Sequence, residues 1–323
     1  MARAKHALTE AGLDPNVELT RASSVTNEVW LTADFAIRVN RRPDHRLRRE
    51  AQIGPQLPAE VRYPEIVAYG TGTGFDWLVV RRRPGNVLSR CWPTMPAAQR
   101  RLAVRQIAFM LRALHETVCP VGLDDLGAPQ LLKGGQGHEP TAPLLVGLER
   151  ARTLDNVDTA IVEALIDIVR TTSRSLEPFD VPTLIHGDLT FENVLWDGEQ
   201  VTALIDFEWS RGAPSDLDLD VILRFCSFPE LHVAEDYVDQ THVADYEDVP
   251  WWLREDYPQL FNFPHALDRL RLYAIAFDVR DILAFPPPLP PTQLPSEHAV
   301  NRLTRLVTRR SYLDNLAGPD ARF

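Results

Sequence analysis

The sequence predicts an α+β fold of two lobes: a small antiparallel sheet carrying one helix, then a large and mainly helical part. Three observations predict it. Short apolar runs separated by turn residues fill the first eighty positions, and helical apolar spacing takes over after Pro84-Gly85. One polar hairpin, LIHGDLTFENVLWDGEQVTALIDFEW at 184–209, then interrupts the helices. The lobes are expected at 1–83 and 84–323.

The first lobe reads as strand, strand, helix, strand, strand. VTNEVWLT and DFAIRVN fit two strands joined by a tight turn at Thr32 to Asp34. DHRLRREAQIGPQL has helical spacing at Leu47, Ala51 and Leu57 until Pro58 stops it. PEIVAYGTGTG and FDWLVVRR supply two more strands around a glycine-bearing turn. In the second lobe, AAQRRLAVRQIAFMLRALHE sets Leu102, Ile107, Met110, Leu111 and Leu114 on one helical face. TAPLLVGLERAR, DTAIVEALIDIVRTTSRSL and the segments 264–284 and 295–315 read as further helices. FPPPLPPTQLP between the last two reads as extended. Asp197-Gly198 marks the turn of the polar hairpin.

Composition narrows the function. Of 323 residues, 45% are hydrophobic and 24% charged, as in globular proteins, and no apolar run approaches the twenty residues of a membrane span. The start, MARAKHALTEAGLD, lacks the apolar core of a signal peptide, and three scattered cysteines indicate neither a disulfide framework nor a zinc site. A cytoplasmic setting without a membrane partner is expected. The formal charge of −11 is uneven: the chain to Glu116 is net basic and the remainder strongly acidic. An anionic ligand at one end and a cationic one at the other would suit that division, whereas nucleic acid would not suit the acidic total.

The hairpin carries the chemistry. Asp188 and Asn193 lie on the loop entering it and Asp206 leaves it, so the returning strands can bring Asp206 to Asn193. A carboxylate and an amide oxygen suit magnesium, which keeps several waters and borrows phosphate oxygens. Asp188 beside that metal could orient a substrate hydroxyl, and these are the parts that phosphoryl transfer requires.

The pattern His-Gly-Asp, four residues, Asn, a strand pair and then IDFEWS resembles the catalytic and metal loops of protein kinases. It is closer still to those of the aminoglycoside phosphotransferase and choline kinase superfamily. The resemblance covers roughly residues 20–225 and implies a protein-kinase-like fold, a magnesium-dependent O-phosphotransferase activity, and ATP, or alternatively GTP, as donor. It implies Asp188 as the catalytic base, Asn193 and Asp206 as metal ligands, and His186 as a support of the loop. Glu208 would face the same side as Asp206 in an extended chain and reach a second metal or a water.

In the small lobe the resemblance places Arg38 at the phosphate-binding lysine position, with Glu50 as its helix partner. Arginine holds phosphate through a planar fork and is not equivalent to lysine. The phosphate-covering loop falls on RASSVTNEVW, which has no glycine, so Ser23, Ser24 and Asn27 would supply donors. Val80, Arg81 and Arg82 would border the nucleotide base. Either Asp216 or Asp218 would brace the catalytic loop.

The acceptor implied first is an aminoglycoside or another amino sugar, with choline-, homoserine-, macrolide- or sugar-type alcohols as alternatives. A kinase-like nucleotide-binding regulator without catalysis is a further alternative. The acids of 230–256 either hold ammonium groups of the acceptor or form a solvated face. Trp92, Trp251 and Trp252 read as packing rather than as an aromatic cage. The sequence leaves the oligomeric state open.

Overall fold

The computed structural model describes residues 1–40, 44–123, 131–134 and 139–316. The strands are β1 (Thr20–Ala22), β2 (Glu28–Leu31), β3 (Phe35–Val39), β4 (Ile66–Gly72), β5 (Phe75–Arg81), β6 (Asn86–Val87), β7 (Leu184–Ile185), β8 (Val194–Trp196), β9 (Val201–Leu204) and β10 (Arg211–Gly212). The helices are α1 (Ala2–Glu10), α2 (Arg46–Ile53), α3 (Leu88–Cys91), α4 (Ala97–His115), α5 (Ala142–Ala151), α6 (Thr159–Thr172), α7 (Asp216–Ser227), α8 (Val249–Asp256), α9 (Ala266–Ala284), α10 (Ala299–Val307) and α11 (Tyr312–Leu316). The chain is α+β, as its sequence predicts. It forms two compact units: Met1–Leu126 with Thr183–Gly212 and Val221–Tyr257, and Gly127–Pro182 with Ala213–Asp220 and Pro258–Phe323.

In the first unit β1 to β5 make an antiparallel sheet in the order β1-β2-β3-β5-β4. The turn expected at Thr32 is present, and the Thr32 hydroxyl accepts the N–H groups of Asp34 and Phe35 at 3.2 and 2.9 Å. Alternation sorts the sheet's two faces. Ile37, Val39, Trp77 and Val79 pack against Ala4, Ala7 and Leu8 of α1, while Leu78 and Val80 pack against Leu47 of α2. Arg38, one residue out of phase with Ile37, therefore stands on the α2 side.

Three small-lobe elements depart from expectation, the first being β1, which makes the sheet five strands rather than four. Helix α1 was not foreseen, although Ala4, Ala7 and Leu8 already have helical spacing. Helix α2 ends at Ile53 rather than near Leu57. Pro55 lacks the N–H that would bond back to Ala51, so Gly54–Gln56 tightens into a 3-10 turn. Gly54 is needed there: a Cβ would lie 2.7 Å from the Tyr63 ring, which fills that space.

Hairpin β8–β9 pairs Val194 with Leu204, and β6 adds a third strand by pairing Asn86 with Trp196. Its turn is longer than two residues, because the Asp197 carboxylate caps the N–H groups of Glu199 and Gln200 at 2.9 Å each. Beneath it lies an aromatic core in which Trp92 is fully buried, stacked on Tyr246 at 5.7 Å and edge-on to Phe191 at 4.8 Å. Trp92 is packing, as its sequence reading favours.

The second unit is built from α5, α6, α9, α10 and α11. Arg269 of α9 holds Asp216 through two nitrogens, and Arg302 of α10 holds Asp278 of α9 at 2.6 Å. Segment 295–315 is not one helix: α10 ends at Val307, and Arg309 takes a left-handed φ of 56° before α11.

Candidate active site

The loop that carries Asp188 follows one short strand pairing. β7 pairs with β10, Ile185 opposite Arg211, and Ser210 donates its hydroxyl to the Ile185 carbonyl. His186 is fully buried. Its Nδ1 accepts the Asp188 N–H at 3.3 Å while Nε2 donates to the Ile205 carbonyl at 3.0 Å, so one ring ties the loop to the strand leaving the hairpin. Gly187 sits between them at φ 83°, and a Cβ there would lie 2.4 Å from the Trp209 carbonyl oxygen. The Asn193 amide nitrogen donates to the Asp188 carbonyl at 2.8 Å, which turns the amide oxygen away from that bond. The Ile205 N–H donates to the Asn193 carbonyl at 2.9 Å, so the hairpin's two ends meet and Asp206 follows directly.

Asp206 takes a left-handed φ of 66°, a conformation that aspartate tolerates, and residues 207–209 coil into a 3-10 turn. This corrects the extended geometry expected for Asp206–Glu208. The coil carries Glu208 inward, where it accepts from Asn27 Nδ2 at 3.0 Å and from Arg38 and Arg46 at 3.4 Å each. Arg46 also lies over the Trp209 ring at 4.3 Å.

Arg38 is the hub. One nitrogen binds Glu50 and the other reaches Asp206 at 2.6 Å. Tyr63, which the sequence did not single out, donates its hydroxyl to the other Glu50 oxygen at 2.8 Å. Its ring stands edge-on to Phe207 at 5.5 Å, and Phe207 in turn lies 4.4 Å from the His186 ring. Burial keeps the Tyr63 hydroxyl protonated well above its ordinary range, so it remains a donor. Burial likewise pushes the Glu50 carboxyl up despite the pull of Arg38. Burial, then the like charge of Asp206, pushes the Glu208 carboxyl up to about 7, against the pull of Arg38. Three carboxylates crowd one arginine, and added positive charge there is favourable.

Among the described residues, no three His, Cys, Asp or Glu side chains converge as a metal cage. The oxygen set offered is one carboxylate, Asp206, and one amide, Asn193, both lining the same cavity as Asp188. That sparse hard-oxygen set in an acid-rich neighbourhood fits magnesium carried on a triphosphate, which brings its own oxygens and waters.

The cavity measures about 310 Å³ and lies wholly within the first unit. Val29, Leu31, Ala36, Val80, Leu195 and Ile205 give it an apolar end of the kind that receives a base. Val80, Arg81 and Arg82 border it. However, the N–H groups of Arg81 and Arg82 already donate to the Glu65 and Asp34 carbonyls at 2.8 Å each, so strand pairing removes them as main-chain donors to a base. Ser23, Ser24 and Asn27 also line the cavity, yet their polar groups turn to the protein. Ser23 donates to Asp236 at 2.6 Å, Ser24 to the Asn27 carbonyl, and Asn27 to Glu208. Arg90, a second residue that the sequence reading missed, donates to the Ser23 carbonyl at 2.8 Å and to Glu192 at 3.3 Å. Of the two candidate braces, Asp216 is taken by Arg269 and Tyr273, the latter at 3.0 Å, and Asp218 is fully buried.

Residues 18–252 match the model of the phosphotransferase enzyme family. A search of curated protein sequences returned no match. Among solved structures, the chain is similar to a thermostable mutant of aminoglycoside phosphotransferase APH(4)-Ia, bound to ADP and hygromycin B, at 16% identity and a TM-score of 0.59. That match covers 95% of this chain and 98% of the other. It is similar to ADP-bound aminoglycoside phosphotransferase APH(2'')-Ib at 14% identity and a TM-score of 0.62, covering 96% and 97%. A putative fructosamine-3-kinase from Haemophilus somnus gives 12% identity and a TM-score of 0.58, covering 95% and 96%. Likeness at these identities establishes a shared kinase-like fold.

Proposed function

The chain belongs to the phosphotransferase enzyme family, a small-molecule kinase by that membership, and on this premise we propose a magnesium-dependent O-phosphotransferase that moves the terminal phosphate of ATP, or of GTP, to an alcohol. The observation that carries this reading is the convergence of Asp188, Asn193, Asp206 and Arg38 on one cavity. A bound magnesium–nucleoside triphosphate would supply the transferable phosphoryl group and neutralise its developing charge.

The chain's own residues divide the remaining work. Asp188 accepts the proton of the acceptor hydroxyl and aims the oxygen. Asn193 and Asp206 would hold the metal through their side-chain oxygens. Arg38, oriented by Glu50 and through it by Tyr63, would face the phosphates. Main-chain donors to the base would come after Arg82, since the two preceding N–H groups are engaged in the sheet. Residues 1–83 would supply the nucleotide-binding sheet and 84–323 the catalytic hairpin and the acceptor-binding helices. The acceptor is a small hydroxyl compound, and the open choice is between an amino sugar and a less basic alcohol.

A nucleotide-binding regulator without catalysis is the second reading, favoured by the glycine-free loop whose serine hydroxyls turn to protein acceptors. Slow magnesium-dependent nucleotide hydrolysis by the purified chain, lost on Asp188→Asn, supports the enzyme. Stoichiometric nucleotide binding with no turnover, even with a broad panel of alcohols, would leave the regulator.

A further inference from the structure

Helix α2 grips the turn that follows Asp206. Arg46 lies over the Trp209 ring at 4.3 Å, and Arg49, one helical turn on, donates from Nε to the Ser210 carbonyl at 2.8 Å. Arg49 is buried and does not line the cavity. Its neighbour Glu50 turns to Arg38 instead. Adjacent residues of one helix therefore hold two different parts of the site: the arginine that would face the phosphates, and the turn beside the loop of Asp188.

Ser210 leads from that turn to Asp188. Its hydroxyl donates to the Ile185 carbonyl, and the two residues after it, Arg211 and Gly212, pair with Ile185 and Leu184. The Leu184 N–H is held by the Thr117 carbonyl at 2.9 Å, which fixes the entry to β7 but not its exit at Ile185. A ladder of two residue pairs is marginal by itself, so whatever locates Ser210 also locates that exit. The turn presses, too, on the residue before Asp188, since the Trp209 carbonyl oxygen would lie 2.4 Å from a Cβ at Gly187. At its other end the turn has little slack. The Ile205 N–H bonds the Asn193 carbonyl at 2.9 Å, and Arg38 holds Asp206 at 2.6 Å. A turn released by Arg49 would therefore shift at Trp209 and Ser210, toward the loop of Asp188, and leave Asp206 in place.

We propose that Arg49 is a positioning residue, which aims Asp188 through Ser210 and Ile185 without touching nucleotide or acceptor. This rests on the phosphotransferase reading and deepens it. A slightly displaced base still lets nucleotide bind but meets its proton at a worse distance and angle, so the loss falls on turnover.

The test is steady-state hydrolysis of magnesium-ATP by the full chain, with water as acceptor, beside calorimetric titration of a non-hydrolysable ATP analogue. Arg49→Gln and Ser210→Ala should each lower kcat at least about 10-fold and leave the analogue's affinity unchanged. Arg49→Lys keeps one charged donor for the Ser210 carbonyl and should recover part of the rate. The two bonds act in series, so the double variant should be no slower than the slower single one.

Wild-type kcat in Ser210→Ala would overturn the proposal, as would wild-type kcat in a folded Arg49→Gln. So would losses that multiply in the double variant, or a fall in analogue affinity large enough to account for the slower rate. Should Arg49→Gln fail to fold, Ser210→Ala decides, since it removes one hydroxyl and leaves the buried arginine in place. Wild-type protein that hydrolyses no ATP would instead sink the phosphotransferase reading on which the proposal rests.

Discussion

Arg38 and Asp206, 168 positions apart, are joined at 2.6 Å, and the same guanidinium also holds Glu50. The contact places a sheet residue against the loop that would carry the metal, so Arg38 would serve phosphate binding as well as stability. Arg38→Ala leaves buried acids without their cation and should cost about 3–5 kcal/mol, read from urea denaturation. Arg38→Lys keeps the charge but loses the fork, so it should recover stability in part and nucleotide affinity less. Wild-type stability in Arg38→Ala would contradict the network.

Asp188→Asn should lower kcat by about 10²-fold or more, the scale of a lost positioned base, while nucleotide affinity changes only a few-fold. Asp206→Ala should give the opposite pattern. Its nucleotide affinity should no longer respond to magnesium, which titrations with and without the metal will show.

Tyr63→Phe keeps the ring against Phe207 and removes the hydrogen bond to Glu50. A hydrogen bond to a buried charged group contributes about 1.5–3 kcal/mol, and the variant should lose stability on that scale. The KM for nucleotide should also rise, because Glu50 then orients Arg38 less firmly. A stability loss with no change in that KM would make Tyr63 a structural residue only.

Gly187→Ala meets two obstacles, a φ of 83° and a carbonyl oxygen 2.4 Å from the new Cβ. Steric relief must move either the loop that carries Asp188 or the turn after Asp206. The expected result is a loss of about 1–3 kcal/mol together with near-complete loss of turnover. Thermal melts and activity of the same preparation will check both.

His298 caps α10, its Nδ1 accepting the Val300 N–H at 3.3 Å. Burial and the nearby Arg302 hold its pKa below the ordinary histidine range. The unfolded chain therefore takes up a proton near pH 6.5 that the folded chain resists. Stability is present above that pH and declines as pH falls through it toward the lower folded value. His298→Asn, a non-titrating cap, should flatten the thermal midpoint between pH 5 and 7 relative to the wild type. An unchanged slope would remove His298 from the pH response.

The hairpin and its neighbours were legible because strand pairing is read from alternation and turns, and closure of a hairpin brings its ends together. Arg38 and Glu50 were reached through the family resemblance, which supplied the positions on the strand and the helix. Helix α1 was missed because its apolar residues are few and small. The Asp206–Glu208 step was misread as extended, since a left-handed residue leaves no periodic trace. Tyr63 and Arg90 were out of reach for a different reason. Each acts through a partner distant in sequence, Tyr63 by filling the space beside Gly54 and Arg90 by reaching Ser23 and Glu192.

The Asn27–Glu208 bond has a consequence for how the protein can vary. It ties the strand edge above the cavity to the turn below it, through one donor and one acceptor 181 positions apart. Loss of Glu208 leaves the buried Asn27 amide without its acceptor, whereas loss of Asn27 leaves Glu208 still held by Arg38 and Arg46. Across descendants of this gene, Asn27 should therefore follow Glu208 more strictly than Glu208 follows Asn27.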